Sequence, residues 1–377
     1  PSIKNYKKVI NVLKQDQLGE RQIIKATNLK PTQVRVIKAD LIEQGIVKEV
    51  NKKIEYQYNA PELNTQTFDE LRKQKLTELN SMLEYVNSDS SRMKFLCDYL
   101  GDQSHNHYQN CDNTSLQPFI LNIQEATKEK LVNFRESYFP TLHTAPKTSK
   151  TIDGKKYYIT LNNENQLVFG LEGKKEYHFQ SIEILKTKIN KLTGEKHKQF
   201  ATLLNNHIMK EKLLNGVASS YYGVSSVGAA LHRSKYENGG DFPDFLLRLT
   251  LKAFRKKYGQ EKFDLILYVP PTESGELVKN FAEKLSQVLK VPISHKLIKT
   301  GVTQPQKVFK NGYLKKDNVA QKFSYSEPGE IVGKSVILFD DIFDSGATIK
   351  EIGNVLTKFG VTKIAPLVIA RTVGGDI

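Results

Sequence analysis

Val336-Ile337-Leu338-Phe339-Asp340-Asp341-Ile342-Phe343-Asp344-Ser345-Gly346-Ala347-Thr348 is the stretch on which the reading of this chain turns. Its four leading apolar residues read as a strand buried on both faces, as the strands of a parallel sheet are. The strand delivers two adjacent carboxylates, Asp340 and Asp341, to its carboxyl end, where open α/β sheets bind ligands. A short loop of Asp344, Ser345, Gly346, Ala347 and Thr348 then enters a helix at Ile349. Gly346 gives that loop the freedom to curl tightly, so that successive N–H groups and the helix N-terminus can cradle a phosphate. The hydroxyls of Ser345 and Thr348 add donors without adding charge. Carboxylates beside a phosphate repel it unless they face something else, and the natural candidates are a sugar's vicinal hydroxyls and a bound Mg²⁺.

Outward from this stretch, apolar strands and amphipathic helices alternate. Leu265–Val269, Val336–Phe339 and Ile364–Ala370 read as strands; Leu277–Leu289 and Ile349–Phe359 read as helices. Such alternation predicts a mostly parallel sheet with helices on its faces. The 336–348 motif resembles the phosphoribosyl-pyrophosphate loop of the type I phosphoribosyltransferases, and the match covers roughly 220–377. The resemblance implies that Asp340 and Asp341 hold a ribose diol and that 344–348 takes the 5′-phosphate. It places the pyrophosphate loop at Tyr268-Val-Pro-Pro-Thr272-Glu-Ser-Gly275, so Pro271 and Thr272 stand on the pyrophosphate side. Family chemistry expels pyrophosphate from C1, with Mg²⁺ and cationic side chains stabilising the leaving group. Lys299 and Lys307 are the cations expected there, with Lys310, Lys315 and Lys316 nearby in sequence. The stretch Thr303-Gln304-Pro305-Gln306-Lys307, followed by Asn318-Val319 and Phe323, looks like the ComF-type subgroup. Fold does not imply catalysis, so ligand binding and active transfer stay open as alternatives.

Gly329-Glu-Ile-Val-Gly333-Lys334-Ser335 imitates a nucleotide-triphosphate loop and fails the test. That loop needs four residues between its glycines, and here three intervene. It must also open a helix, whereas Val336 begins a strand. We read it as a surface turn, and no ATPase motif is recognisable in the chain.

Residues 1–60 read as a small helical unit closed by a hairpin. Tyr6, Val9, Ile10 and Leu13 lie at helical spacing, and Pro31 stands at the first position of a helix expected to carry Val34, Ile37, Leu41 and Ile42 inward before Gly45 ends it. Two short strands follow around Asn51-Lys52-Lys53. This is the winged-helix order, and over residues 1–59 twelve lysines and arginines face six acids. The helix from Pro31 would enter a DNA groove, with Lys30, Thr32, Gln33, Arg35 and Lys38 at its start and Lys52 and Lys53 on the wing.

Residues 61–116 carry a helical stripe of Phe68, Leu71, Leu76, Leu79, Met82, Leu83 and Val86. Arg72, Met82–Tyr85, Ser91–Leu96, Tyr99–Asp102 and Tyr108–Thr114 look like the zinc-binding subdomain of RecQ-family DNA helicases. That subdomain uses four cysteines, and the matching places here hold Ser91, Tyr108, Cys111 and Thr114. Three ligands being replaced, zinc is not expected and the reading is a metal-free subdomain, with Cys97 as a core residue. Cys97, His105, His107 and Cys111 are the set from which a rearranged N₂S₂ site could still be built. Residues 117–215 read as a linker or loosely packed helices through 150, a hairpin of 157–161 with 167–171, and a lysine-rich helical run over 183–214. Residues 216–377 form the phosphoribosyltransferase-like domain.

Composition fits this assembly. The formal net charge is +15 over 377 residues, which favours a polyanionic partner, and two cysteines exclude a disulfide framework. No apolar run suits a membrane span, and a cytoplasmic chain, nucleoid-associated in a prokaryote, is expected. The parts resemble the accessory C-terminal region of a RecQ-like, ATP-dependent DNA helicase, acting in repair or recombination, whose two motor domains would precede this chain; Pro1 in place of Met fits that expectation. The alternatives are an active Mg²⁺-dependent phosphoribosyltransferase, and a protein-interaction module of a nucleic-acid-processing or defence assembly.

Overall fold

The computed structural model describes residues 2–102, 111, 113, 123–223, 225–237, 241–272 and 275–373, with the backbone alone for Thr67, Arg135, Glu136 and Lys307. The chain divides into two compact units, Pro1–Glu136 and Ser137–Ile377. In the first, α1 (Ile3–Leu13), β1 (Leu18–Gly19), α2 (Glu20–Thr27), α3 (Pro31–Glu43), β2 (Val47–Val50) and β3 (Lys53–Tyr56) make three helices beside a small antiparallel sheet. Asn28, left-handed at φ 52°, stops α2. Pro31 opens α3, and the Gln33 side chain accepts the Lys30 N–H at 3.1 Å, satisfying a donor the helix start leaves orphaned. Tyr6, Val9, Leu13, Ile23, Ile24, Val34, Ile37, Leu41 and Ile54 close into one core.

The wing departs in detail from the sequence expectation. Positive φ at both Asn51 and Lys52 makes a two-residue turn of the hairpin-favouring kind, so Lys53 is already the first residue of β3, paired with Val50. A third strand, β1, pairs antiparallel with β3, giving the order β1-β3-β2.

Next come α4 (Gln66–Asn87), α5 (Arg92–Tyr99) and α6 (Glu125–Ser137). The stripe expected on α4 is present on one helix, yet Leu71, Leu76, Leu79, Met82, Leu83 and Val86 stay at least half exposed, while Phe68 meets Tyr6 edge to face at 4.9 Å. Amphipathic periodicity specifies a face, but something must pack on it before it becomes core. Cys97 is likewise half-buried on α5, which buries no residue among those described, so its reading as a core residue is corrected.

In the second unit come β4 (Thr141–Leu142), β5 (Ser149–Ile152), β6 (Lys155–Leu161), β7 (Leu167–Leu171), β8 (Glu176–Phe179), α7 (Ile182–Asn190) and α8 (Gly194–Lys212). Among the described residues of the linker or loosely packed helices expected through 150 only α6 is helical, and the single helical run expected over 183–214 is two helices. The expected hairpin is the centre of a four-stranded antiparallel sheet, β5-β6-β7-β8, whose inner face carries Ile159, Leu167 and Phe179 against Leu185, Ile189, Leu203 and Leu204 of α7 and α8.

The remaining elements are β9 (Gly216–Tyr222), α9 (Ser226–Tyr236), α10 (Asp244–Tyr258), β10 (Leu265–Tyr268), α11 (Leu277–Leu289), β11 (Ile293–Ser294), β12 (Leu297–Lys299), α12 (Gly312–Val319), β13 (Phe323–Tyr325), β14 (Ser335–Phe343), α13 (Ala347–Lys358) and β15 (Lys363–Thr372). They build a six-stranded sheet of order β11-β10-β14-β15-β9-β4, parallel except where β4 runs against β9. Val336 through Phe339 are fully buried because helices cover both faces. Phe281 and Leu285 of α11 pack with Ile337 and Phe339 on one face; Ile349, Ile352 and Leu356 of α13 pack with Val336 and Leu338 on the other. β12 and β13 form a separate antiparallel ribbon whose connection carries α12.

Candidate functional site

β10 and β14 are neighbours, but the chain leaves them in opposite directions. From β10 it passes through α11 to the edge strand β11; from β14 it passes through α13 to β15 on the other side. Diverging connections leave a crevice at the carboxyl ends of the strands, the place where doubly wound sheets bind ligands. A cleft of about 410 Å³ lies there, lined by Pro271, Thr272, Lys299, Asp340, Asp341 and the whole 344–348 loop, with Tyr222, Lys235 and Lys315 added from other elements. Its volume is in the range of small-ligand sites.

The loop has the geometry its sequence calls for. Gly346 adopts φ 73° as the N-cap of α13, and a Cβ there would approach the Phe343 ring to 2.7 Å. A side chain there would be strained in φ and would crowd Phe343, whereas glycine lets the backbone bend directly into the first turn of α13. The Ala347 N–H donates to the Ser345 hydroxyl at 3.4 Å. Asp344 is tied down from both sides, receiving Lys315 Nζ on one oxygen and the Thr372 hydroxyl at 3.1 Å on the other.

The carboxylate pair sits in two different environments. Asp341 is buried, and its Oδ2 accepts the ammonium of Lys235 at 2.6 Å. Asp340 accepts the Asp341 N–H at 2.9 Å. Burial, with the neighbouring Asp341 charge added, pushes the Asp340 carboxyl up to about 8, against the opposing pull of Lys235 and Lys299. Lys235 shows the balance from the cation's side: burial works against its charge, and Asp341 more than offsets it, so its pKa stands above the ordinary lysine value. Lys299 donates to the Thr272 hydroxyl at 2.6 Å, and burial lowers its pKa despite the Asp340 carboxylate. The hydroxyls of Thr272 and Thr303 are 3.2 Å apart, joining the loop after β10 to the β12–α12 connection.

The Mg²⁺ that the resemblance implies would find few free protein oxygens here. Mg²⁺ commonly keeps several waters and binds through one or two carboxylates together with the phosphates of a ligand. Asp341 Oδ2 is engaged by an ammonium, burial and the Asp341 charge raise the pKa of the Asp340 carboxyl, and among the described residues no cluster of three or more His, Cys, Asp or Glu is placed to hold a metal.

Of the expected pyrophosphate-side groups, Pro271, Thr272 and Lys299 line the cleft, whereas the Lys307 side chain lies outside the described residues. Lys316 is exposed and away from the lining, while Lys315 is half-buried within it. Lys235, Tyr222 and Tyr236 escaped the sequence reading. Nothing local marks them: Lys235 is one of many lysines, and only the packing of α9 and β9 beside β15 and β14 brings it to the acidic pair.

In the first unit, the expected DNA-contacting residues occupy the exposed side of α3 and the wing. Arg35 pairs with Glu20 at 2.8 Å, and Lys38 reaches Glu49 at 3.3 Å and Glu20 at 3.8 Å. Thr32 is exposed at the start of α3, Gln33 serves the helix cap, Lys52 occupies the turn and Lys53 the adjoining strand. Of the metal candidates, His105 and His107 lie outside the described residues. Cys111 accepts the Arg92 N–H at 3.0 Å and donates to Asn113 Oδ1 at 2.9 Å, so its sulfur closes the start of α5.

No family model matches the chain, and no curated protein matches it. Among solved structures, stretches of about a third of the chain are similar to parts of two enzymes. One is described as the allosteric regulatory enzyme of purine biosynthesis: 20% identity, covering 36% of this chain and 29% of that one, TM-score 0.26. Another is the glutamine phosphoribosylpyrophosphate amidotransferase from B. subtilis complexed with ADP and GMP: 25% identity, 29% of this chain, 23% of that one, TM-score 0.21. The chain thus spans less than a third of either enzyme. Neither likeness bears on helicases or DNA binding, and at these scores neither carries weight for the activity. What the C-terminal half offers is a mixed α/β fold with a mostly parallel six-stranded sheet and a basic and acidic cleft at its switch point.

Proposed function

We propose that the cleft at the carboxyl ends of β10 and β14 binds the phosphorylated ribose of a phosphoribosyl or nucleotide ligand. The observation that carries this reading is the joint placement of the Gly346 turn at the α13 N-terminus and the Asp340–Asp341 pair in one cleft. The turn suits a phosphate, and the carboxylates suit ribose hydroxyls, which donate to them. Lys299 and Lys315 supply positive charge on the side where a second phosphate would lie. Isothermal titration of the full chain with phosphoribosyl pyrophosphate and with ribose 5-phosphate tests it. The double variant Asp340→Asn, Asp341→Asn and the variant Gly346→Ala should each weaken binding at least tenfold; unchanged affinity in both would refute the reading. Transfer activity is a further step on the same site: a base or amine would displace pyrophosphate from C1, and pyrophosphate release is its readout.

A second reading concerns the first unit, where the winged-helix arrangement with a lysine at the wing turn favours contact with nucleic acid. In that reading the chain is the DNA-binding accessory part of a RecQ-like helicase. Duplex binding by the full chain that weakens steeply with added salt supports it, since phosphate contacts release counterions; salt-insensitive or absent binding points instead to a protein-interaction module.

A further inference from the structure

Phosphorylated ribose brings several negative charges toward a cleft that already holds Asp340, Asp341 and Asp344. Something positive must stand between them. The groups that face this region come from every surrounding element: Asp340 and Asp341 from β14, Asp344 from the loop after it, Lys299 from β12, Lys315 from α12, and Lys235 from the last turn of α9. Lys315 is committed to Asp344, and Lys299 to Thr272. Lys235 is the cation set on the acidic pair itself, 2.6 Å from Asp341 Oδ2.

Three features fix Lys235 there. Its side chain is only 13% exposed and that of Asp341 only 8%, so separating them would leave two charges in a poorly solvated place. It lies in the final turn of α9, where the helix dipole favours a cation. Its ammonium also stands 5.9 Å from the centre of the Tyr236 ring. A divalent ion binding to Asp341 Oδ2 would have to displace this ammonium, and one binding to Oδ1 would meet its like-charge repulsion. An ammonium, by contrast, has three donors, of which the Asp341 contact uses one, so it can serve ligand oxygens without leaving the carboxylate.

We propose that Lys235 takes the place of a divalent cation in this cleft, bridging the acidic pair to the ligand's phosphate and hydroxyl oxygens, so that ligand binding does not require Mg²⁺. The proposal rests on the phosphoribosyl reading above. It assigns the charge-balancing role to a side chain of the fold, and makes the ligand class one recognised through phosphate and ribose oxygens rather than as a magnesium complex.

The experiment is titration of the full chain with phosphoribosyl pyrophosphate in EDTA and again in excess MgCl₂. The expected result is a Kd that agrees within about threefold between the two buffers, a difference too small for a lost ionic bridge. Lys235→Met should weaken binding at least tenfold in EDTA and regain part of it in MgCl₂, while Lys235→Arg should stay metal-independent. Mn²⁺ alone, followed by its paramagnetic resonance, should not bind the parent chain. Mg²⁺ tightening the parent's binding tenfold or more, or Lys235→Met binding like the parent in EDTA, overturns the proposal while leaving the phosphoribosyl reading intact. Absence of binding in both buffers removes that reading and this inference together. Should Lys235→Met not fold, by far-ultraviolet circular dichroism, the parent and Lys235→Arg titrations decide the matter alone.

Discussion

Ion pairs in the C-terminal cleft and on α3 of the first unit look alike as pairs of residues and differ as physical objects. Lys235 and Asp341 meet in a crevice, at side-chain exposures of 13% and 8%. Arg35 and Glu20 meet at an almost equal distance, 2.8 Å, at 64% and 32%. In the crevice the solvent cannot replace a lost partner, so the pair is locked and shifts the titration of its neighbours. On α3 water and salt screen the pair, so Arg35 can exchange Glu20 for another anion at small cost. The acidic pair of the cleft is therefore held by its own cation, and the cations of α3 hold their partners loosely.

The largest break in this contrast should come from Lys235→Met, which strands a buried carboxylate and costs about 3–5 kcal/mol in urea unfolding of the full chain. Arg35→Ala, the matching change on the exposed pair, should cost less than about 1 kcal/mol; equal losses at the two positions would erase the distinction. Next in size is Gly346→Ala. Its strained φ and the Phe343 ring at 2.7 Å from the added Cβ should cost about 1–3 kcal/mol, seen in the same unfolding curves. Substitution at Gly333, where φ is 74° but no atom lies within 4 Å of a built Cβ, should cost less, separating steric from conformational strain.

Last is a pH effect at Asp340. Its carboxyl is raised from 3.8 to about 8 in the folded chain, so folding takes up a proton there between those two values. In that interval the unfolded chain binds fewer protons, and stability falls as pH rises. The contribution is fully present below the unfolded value and is gone once pH has climbed through about 8. Asp340→Asn has no such titration. Its thermal midpoint should gain on the parent's by a few degrees between about pH 5 and about pH 9. A constant offset across that interval would mean that Asp340 is ionised throughout.

Particular elements show how far the amino-acid order can be read. The buried run Val336–Phe339, the carboxylates at its end and the glycine turn after them are local signals, and β14 and α13 follow them closely. The unit of three helices and a small sheet is equally legible because Pro31, Gly45 and the apolar spacing act within a few residues of themselves. The α4 stripe marks the limit. Its period specifies a helix face, while burial depends on a neighbour, and Leu76, Leu79 and Leu83 remain about half exposed. The middle region is harder still: Thr141–Leu142 is too short to read as a strand, and becomes one because the edge of β9 offers hydrogen-bonding partners.

Sequence alone determined that a strand, two carboxylates and a glycine turn stand in line, since backbone stiffness, left-handed glycine geometry and apolar burial are properties of neighbouring residues. Tertiary structure alone decided what those carboxylates face. Lys235 lies more than a hundred positions from Asp341 in the chain and 2.6 Å away in space, because parallel strands must be joined by crossovers that return distant segments to the same end of the sheet.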